Sequence, residues 1–528
     1  MDYALHEKSP NWLGASVATL LALGLYLPFL SVNYDLNGLY EAGAVEQGLP
    51  GTLFLQNHLL YRPVAYLFYQ AALHLGMSGH SLLILQVLTA VFGALGVGFA
   101  YLIFLQFGQD KVIAFLASLW LATSWAYWYF STDVSYISMA ACLAAAAITV
   151  FLKAESRRAA AAAGILAGLA VLTWQANALL IPVIVTCALL LKPSPSDRFL
   201  LSKAVVTVSC GFLLTLLSYA AVGVFFYAQR TPSDLLGWVF RYGSGVGLPM
   251  WGQWSLSRVP FALSTAVSSI LPVNPRLTMG EFDSSLPANT GYDWNTAYEW
   301  SLPALVLLGG FLAVQLLMKG RSSKTALRVL LWALMSYAIY LSFIVWWDPF
   351  ESKWFLIPNL FLAVLIPVCC GQQPGRWTKS TVLVLTLIIA AANFSSTIWP
   401  RHSEEKRPIK LARCLGSKMD SADLFLATDW AWADYLNYFQ ERQVLSVIGL
   451  AGTSSGKEAM LRKVDTAIAE TQNADHSVYM VDFAAYTEGH LEWLQEQTGF
   501  TTDDLTQWEL EPAFVCDGIR FLRVSKIP

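Results

Sequence analysis

Carboxylates beside long apolar runs are the residues of this chain best placed to do chemistry. Asp35, Glu41 and Glu46 follow directly on the first apolar run, in SVNYDLNGLYEAGAVEQGLP. Asp133 sits in the brief turn WYFSTDVSYIS, and Asp348 and Glu351 accompany Lys353 in WWDPFESKW. A carboxylate at such a boundary can take the proton of an attacking hydroxyl. It can also be a solvated cap, and Asp133 reads equally as the N-cap of the helix that follows. Asp35 is the first candidate for a functional role, since aromatics flank it and an interfacial loop follows. His58, in QNHLLYRP, stands one helical turn before Arg62; it reads as a ligand or proton-transfer group, or as a structural hydrogen-bonding group in an aromatic interface. Lys353 could grip a phosphate from the outer end of its helix or simply snorkel. Tryptophans at run ends, such as Trp125, Trp174, Trp347 and Trp354, form an interfacial belt and could stack on a sugar ring.

The elements that must position these groups are membrane spans. Apolar residues make up 56% of the chain and charged residues 13%, about half the charge of a soluble domain, so the chain is a polytopic α-helical membrane protein. About eleven candidate spans are legible, near 12–32, 81–105, 112–130, 134–152, 159–174, 177–191, 204–228, 301–318, 329–347, 354–370 and 380–399. The run Leu13 to Leu30 is longer than a signal-peptide core and lacks a small-residue cleavage site, so it reads as a retained span. Lys and Arg gather in alternate short loops, at Lys111, Lys153/Arg157/Arg158, Lys192/Arg198/Lys203, Lys319/Arg321/Lys324/Arg328 and Arg376/Lys379. That side is the cytoplasm, which makes the N-terminus cytoplasmic and everything beyond residue 400 external. Asp35, Asp133, Asp348 and Glu351 then share the external side. A net charge of −3 gives no reason to expect nucleic acid, and no Gly-rich phosphate loop or Cys/His zinc spacing is present.

Two external loops are long. The first, about 32–80, contains YRPVAYLFYQAALH (61–74), too short to span and suited to lying in the interface. The second, about 229–300, has mixed apolar stretches near 235–240 and 259–271, with Arg230, Arg241, Arg258 and Arg276 spread between them. After Pro400 charges become frequent: strands are expected at 424–428, 443–448, 477–482, 508–514 and 518–524, with amphipathic helices between the first four. This gives a transmembrane module over 1–399 and a soluble C-terminal α/β domain over 400–528. Five cysteines fall in spans, which leaves Cys414 and Cys516 to pair in an external domain.

Taken together, these features resemble the GT-C superfamily of integral membrane glycosyltransferases, near the bacterial branch related to protein mannosyltransferases and lipid A aminoarabinose transferases. The resemblance rests on Tyr34-Asp35 just after the first span, Asn57-His58-Leu59-Leu60-Tyr61-Arg62-Pro63, Thr132-Asp133-Val134-Ser135-Tyr136, and Glu351-Ser352-Lys353-Trp354 with Pro358. The chain departs from the usual pattern where Leu59 replaces a common Pro and Lys353 a frequent Arg. The resemblance implies inverting transfer of a sugar from a polyprenyl-phosphate carrier to a lipid, glycan or protein acceptor at the external face, in cell-envelope glycan biosynthesis. The membrane would be a bacterial inner or plasma membrane. Asp35 and Asp133 are the expected catalytic residues, and His58, Arg62, Glu351 and Lys353 the expected substrate-binding residues. A divalent metal held partly by Asp133 is an alternative to Lys353 or Arg62 as the charge that offsets the departing phosphate. A transporter or flippase would need ionisable groups at mid-membrane, and the spans offer only groups such as Gln175 and Asn177. A non-catalytic scaffold would be indifferent to loss of Asp35.

Overall fold

Helices dominate because in hydrocarbon only a helix satisfies its own backbone polar groups within one segment. The computed structural model describes residues 11–108, 110–191, 198–240, 252–271, 306–314, 324–371, 373–405, 407–428, 430–486 and 488–526. In chain order its principal helices are α1 (Trp12–Tyr26), α2 (Leu36–Gln47), α3 (Tyr61–His74), α4 (Ser81–Gly108), α5 (Lys111–Thr123), α6 (Trp125–Ser131), α7 (Tyr136–Lys153), α8 (Arg157–Thr173) and α9 (Leu180–Leu190). They continue with α10 (Arg198–Tyr227), α11 (Pro232–Val239), α12 (Val259–Ser268), α13 (Lys324–Trp347), α14 (Leu356–Cys370) and α15 (Arg376–Asn393). Among the described residues seven helices are long and apolar enough to cross a bilayer, or eight if the bent pair α5–α6 is one span. The expected spans near 159–174 and 177–191 are the shorter helices α8 and α9. That near 301–318 is helical over 306–314, and its remainder lies outside the described residues. The long α4 runs through the middle of the bundle with most of its length buried, whereas α1 and α10 turn Leu13, Leu20, Phe212 and Phe225 outward.

The expected span 112–130 is not one helix. The chain bends by 66° at Ser124, between α5 and α6. Such a break strands backbone groups at membrane depth unless neighbouring protein takes them up. Here the carbonyls of Ile270 and Ser269, just after α12, accept the N–H groups of Trp125 (3.0 Å) and Ala126 (2.8 Å). The Asn393 side-chain amide donates to the carbonyls of Thr123 (2.7 Å) and Ile270 (2.9 Å). All seven residues of α6 are buried, so α6 forms a fixed floor beneath the turn that carries Asp133. In the second long loop, the two mixed apolar stretches overlap the helices α11 and α12, while Arg241 and Arg276 lie outside the described residues.

Beyond α15 the chain kinks through Phe394–Ile398 and Trp399–Ser403 into α16 (Arg407–Lys418). A five-stranded sheet follows, ordered β2-β1-β3-β5-β4, from β1 (Leu424–Ala427), β2 (Gln443–Ser446), β3 (Val478–Val481), β4 (Trp508–Cys516) and β5 (Ile519–Lys526). The first three strands are parallel, with Leu424 opposite both Gln443 and Val478, and β5 pairs antiparallel to β3 and β4. Helices α17 (Trp430–Gln440), α18 (Lys457–Asn473) and α19 (Glu488–Thr498) lie between strands. The fully buried run Leu424–Ala427 marks β1 as an interior strand. Asp517 and Gly518 both take positive φ, 48° and 78°, the conformation a two-residue hairpin turn requires. Cys414 and Cys516 form a disulfide that ties α16 to β4.

Candidate active site

Asp35 is the N-cap of α2. Its Oδ1 accepts from the Asn37 backbone N–H (2.9 Å) and side-chain amide (3.1 Å), and its carboxylate is partly exposed. The backbone is held far more firmly than the side chain. The Asp35 N–H donates to Asp133 Oδ2 at 2.8 Å, and the same oxygen accepts from Arg401 Nη2 at 2.6 Å. Asp133 Oδ1 accepts from the Val134 N–H at 2.7 Å. Both oxygens of this fully buried carboxylate are thus engaged. Burial pushes the Asp133 carboxyl above its ordinary range, opposed by Arg401 and the two backbone N–H groups. Close approach is possible because residue 38 is glycine: a Cβ there would meet the Val134 carbonyl at 3.1 Å and Asp133 Oδ1 at 3.5 Å.

The corner between α13 and α14 contributes the second half of the site. Asp348, Glu351 and Lys353 occupy the turn, with Lys353 Nζ 2.9 Å from Glu351 Oε2 and 4.7 Å from the centre of the Trp354 ring. Trp354 stacks flat on Trp174 at 5.2 Å, which fixes the direction of the corner. Asp35 lies within electrostatic reach of both Lys353 and Glu351, although more than three hundred residues separate them in sequence. Burial raises the Asp348 carboxyl, with Lys353 and Arg258 opposing. Burial also raises that of Glu351, with Lys353 opposing and the charges of Asp348 and Asp35 adding to it. Three carboxylates therefore face the Lys353 ammonium and, beside Asp348, the Arg258 guanidinium, an excess of one negative charge when all are ionised, which favours taking up a proton.

His58 is buried, its ring 3.5 Å from that of Tyr136 and its Nδ1 3.3 Å from the Thr173 carbonyl. Burial, reinforced by the Arg62 cation, holds its pKa well below the ordinary value, so the imidazole is neutral. Arg62, expected as a phosphate grip, is committed elsewhere. Its Nε and Nη2 donate to the two Glu41 oxygens at 2.8 and 3.2 Å, and Nη1 donates to the Thr52 carbonyl at 2.5 Å. Arg62 and Glu41 are both buried, so this bidentate pair neutralises itself and joins α2 to α3. A metal held by Asp133 does not fit either, because both of its oxygens already accept protein hydrogen bonds. Among the described residues no group of three or more His, Cys, Asp or Glu is arranged to hold a metal ion.

Sequence reasoning missed Arg401. It is the first cation beyond the last span, on the side the charge pattern assigns to few cations, and that was the signal available. Its guanidinium lies 3.4 Å over the Tyr129 ring and donates to the Asn33 carbonyl at 2.9 Å as well as to Asp133. Tyr435 of α17 was missed too; its hydroxyl donates to the Tyr34 carbonyl at 2.7 Å.

A helical membrane bundle with acidic loops at one end and a mixed sheet after the last span is a fold this chain shares with solved structures. Two solved structures show the likeness directly. ArnT from Cupriavidus metallidurans, solved with undecaprenyl phosphate, superposes with a TM-score of 0.58 at 11% identity, over 98% of each chain. The Archaeoglobus fulgidus oligosaccharyltransferase tethered to an acceptor peptide superposes with a TM-score of 0.52 at 13% identity, over 98% of this chain and 74% of that one. No protein-family model and no curated protein sequence matches the chain.

Proposed function

We propose that this protein is an inverting glycosyltransferase that moves a sugar from a polyprenyl-phosphate-linked donor to a lipid, glycan or protein acceptor at the external face of a membrane. The observation that carries this reading is that a partly exposed, backbone-anchored carboxylate, Asp35, lies within electrostatic reach of the cation Lys353 at one end of the bundle. Asp35 takes the proton of the acceptor hydroxyl as its oxygen bonds to the anomeric carbon. The bond from that carbon to the phosphate oxygen breaks, its electrons leave with the polyprenyl phosphate, and Lys353 offsets the charge that develops there. One displacement inverts the anomeric centre. Asp133 acts on this step through the backbone of Asp35, and His58 and Arg62 shape the wall behind it.

The C-terminal segment supports the external placement. It docks on the same end of the bundle as Asp35, through Tyr435 to Tyr34 and through the Tyr438 hydroxyl to Glu46 Oε1 at 2.6 Å. A disulfide between Cys414 and Cys516 suits an oxidising compartment. At the other end Lys379 pairs with Asp110 among the loops rich in Lys and Arg. In this reading about eleven spans carry a cytoplasmic N-terminus, and residues beyond about 400 form an external α/β domain. The testing experiment is mass spectrometry of envelope glycolipids, glycans and glycoproteins from a deletion strain, complemented by wild type or by Asp35→Asn. A sugar modification lost on deletion should return with wild type alone. Its full return with Asp35→Asn, at equal protein level, would remove Asp35 as the base.

A further inference from the structure

We infer that Arg401 is a positioning residue for Asp35, and that through it and Tyr435 the C-terminal segment holds the proposed base in its working place. The inference rests on the proposed role of Asp35 and extends it to residues that do not touch the reacting atoms.

Within residues 30–35 the Ser31 hydroxyl bridges the Asn33 N–H (3.0 Å) and carbonyl (2.9 Å), and many of the other backbone polar groups there are engaged from outside the loop. The Val32 N–H donates to the Arg401 carbonyl at 2.9 Å, and the Ser31 N–H donates to the Thr132 carbonyl at 3.0 Å. The Asn33 carbonyl accepts from Arg401 Nη2 and the Tyr34 carbonyl from Tyr435. The His402 Nδ1 lies 3.0 Å from the Leu30 carbonyl, and the Asp35 N–H donates to Asp133. Arg401 therefore acts twice on the loop, directly at Asn33 and through Asp133 at Asp35. It does so from the junction where the last span passes into the α/β segment. Its own geometry is over-determined by the Tyr129 ring on one side and the Asp133 carboxylate on the other. A buried ion pair of this kind adds little net stability compared with an apolar pair but specifies one arrangement, which is what a base that must meet a donor sugar within a fraction of an ångström needs. Tyr435 supplies the second tie, one residue before Asp35, from α17.

The test uses the full chain in lipid nanodiscs with three readouts. These are backbone hydrogen exchange over residues 31–38, affinity for undecaprenyl phosphate, and restoration of the sugar modification lost in the deletion strain. Arg401→Met should speed exchange at 31–38 and lower the restored product by about 10–100-fold, with undecaprenyl phosphate affinity within about twofold of wild type. Arg401→Lys, which keeps the charge but not the fork, should recover part of the product. Tyr435→Phe should speed exchange at 34–36 and lower product by about three- to tenfold, the loss of one hydrogen bond. Since Arg401→Met leaves a buried carboxylate unpaired, the double variant Asp133→Asn/Arg401→Met separates misfolding from mispositioning: it should insert normally and still show fast loop exchange. Unchanged exchange in both Arg401→Met and Tyr435→Phe overturns the inference, and so does fast exchange with full product. If Asp35→Asn restores full product while Arg401→Met still loosens the loop, the proposed role of Asp35 fails and the mechanical tie stands.

Discussion

The two acidic corners at the Asp35 end of the bundle are built on opposite principles. At the Asp133 corner every charge is answered: one carboxylate, one guanidinium, two backbone N–H groups and an aromatic face, all buried. At the Asp348–Glu351–Lys353 corner charge is left over, because these two carboxylates and Asp35 are answered only by the Lys353 ammonium and, at Asp348, the Arg258 guanidinium. A paired network fixes geometry and leaves no net charge for a ligand, although the buried Arg401 Nε finds no acceptor among the described residues. An unbalanced one stores electrostatic free energy that a proton or a substrate can release. Asp35 belongs to both, with its backbone tied to the Asp133 corner and its charge felt at the unbalanced one.

The sharpest way to break this comparison is at their junction. Asp35→Asn keeps the N-cap and the backbone bond to Asp133, so insertion and affinity for undecaprenyl phosphate should be normal while turnover falls by about 100-fold or more. Sugar transfer to acceptor, measured in membranes at matched protein level, checks this. The next largest effect is expected at Lys353. Lys353→Met should weaken undecaprenyl phosphate binding by about 10–100-fold, the loss of a charge-assisted contact, as read by titration of the reconstituted protein. An unchanged affinity would mean that the ammonium serves Glu351 alone.

A smaller effect should follow pH. Burial raises the Asp348 and Glu351 carboxyls, so each binds a proton at higher pH than an ordinary carboxylate, and each proton bound removes a negative charge from beside the phosphate site. Affinity for undecaprenyl phosphate should therefore rise by a few-fold as pH falls through the raised range of these carboxyls, and the curve should flatten in Glu351→Gln. A wild-type curve as flat as that of the variant would show the corner to be charge-balanced after all. The smallest effect on the site is expected from the disulfide. Cys414→Ser should destabilise the α/β segment by about 2–4 kcal/mol, seen in thermal unfolding of the full chain, and leave undecaprenyl phosphate affinity unchanged.

What could be read without coordinates was whatever depends on residues near one another in the chain. The apolar runs marked the helices, the 61–74 pattern marked α3, and the runs 508–514 and 518–524 marked the last two strands. Cysteine placement nominated the pair Cys414 and Cys516. Composition and boundary position also nominated Asp35, Asp133, Glu351 and Lys353, since a charge beside a span is conspicuous. Their partners could not be read, because pairing is decided by which span ends come together. Arg62 and Lys353 look alike in sequence as lone outer cations. Only the packing of α2 against α3 spends Arg62 on Glu41, while Lys353 stays among an excess of carboxylates. Asp133 likewise looks like a helix cap until the kinked end of the last span brings Arg401 to it across 268 residues. Local pattern determines which groups lie at the membrane surface, because the cost of burying them in hydrocarbon is paid residue by residue. Which charges are cancelled there and which remain to act is a property of contacts distant in sequence, and only the folded bundle decides it.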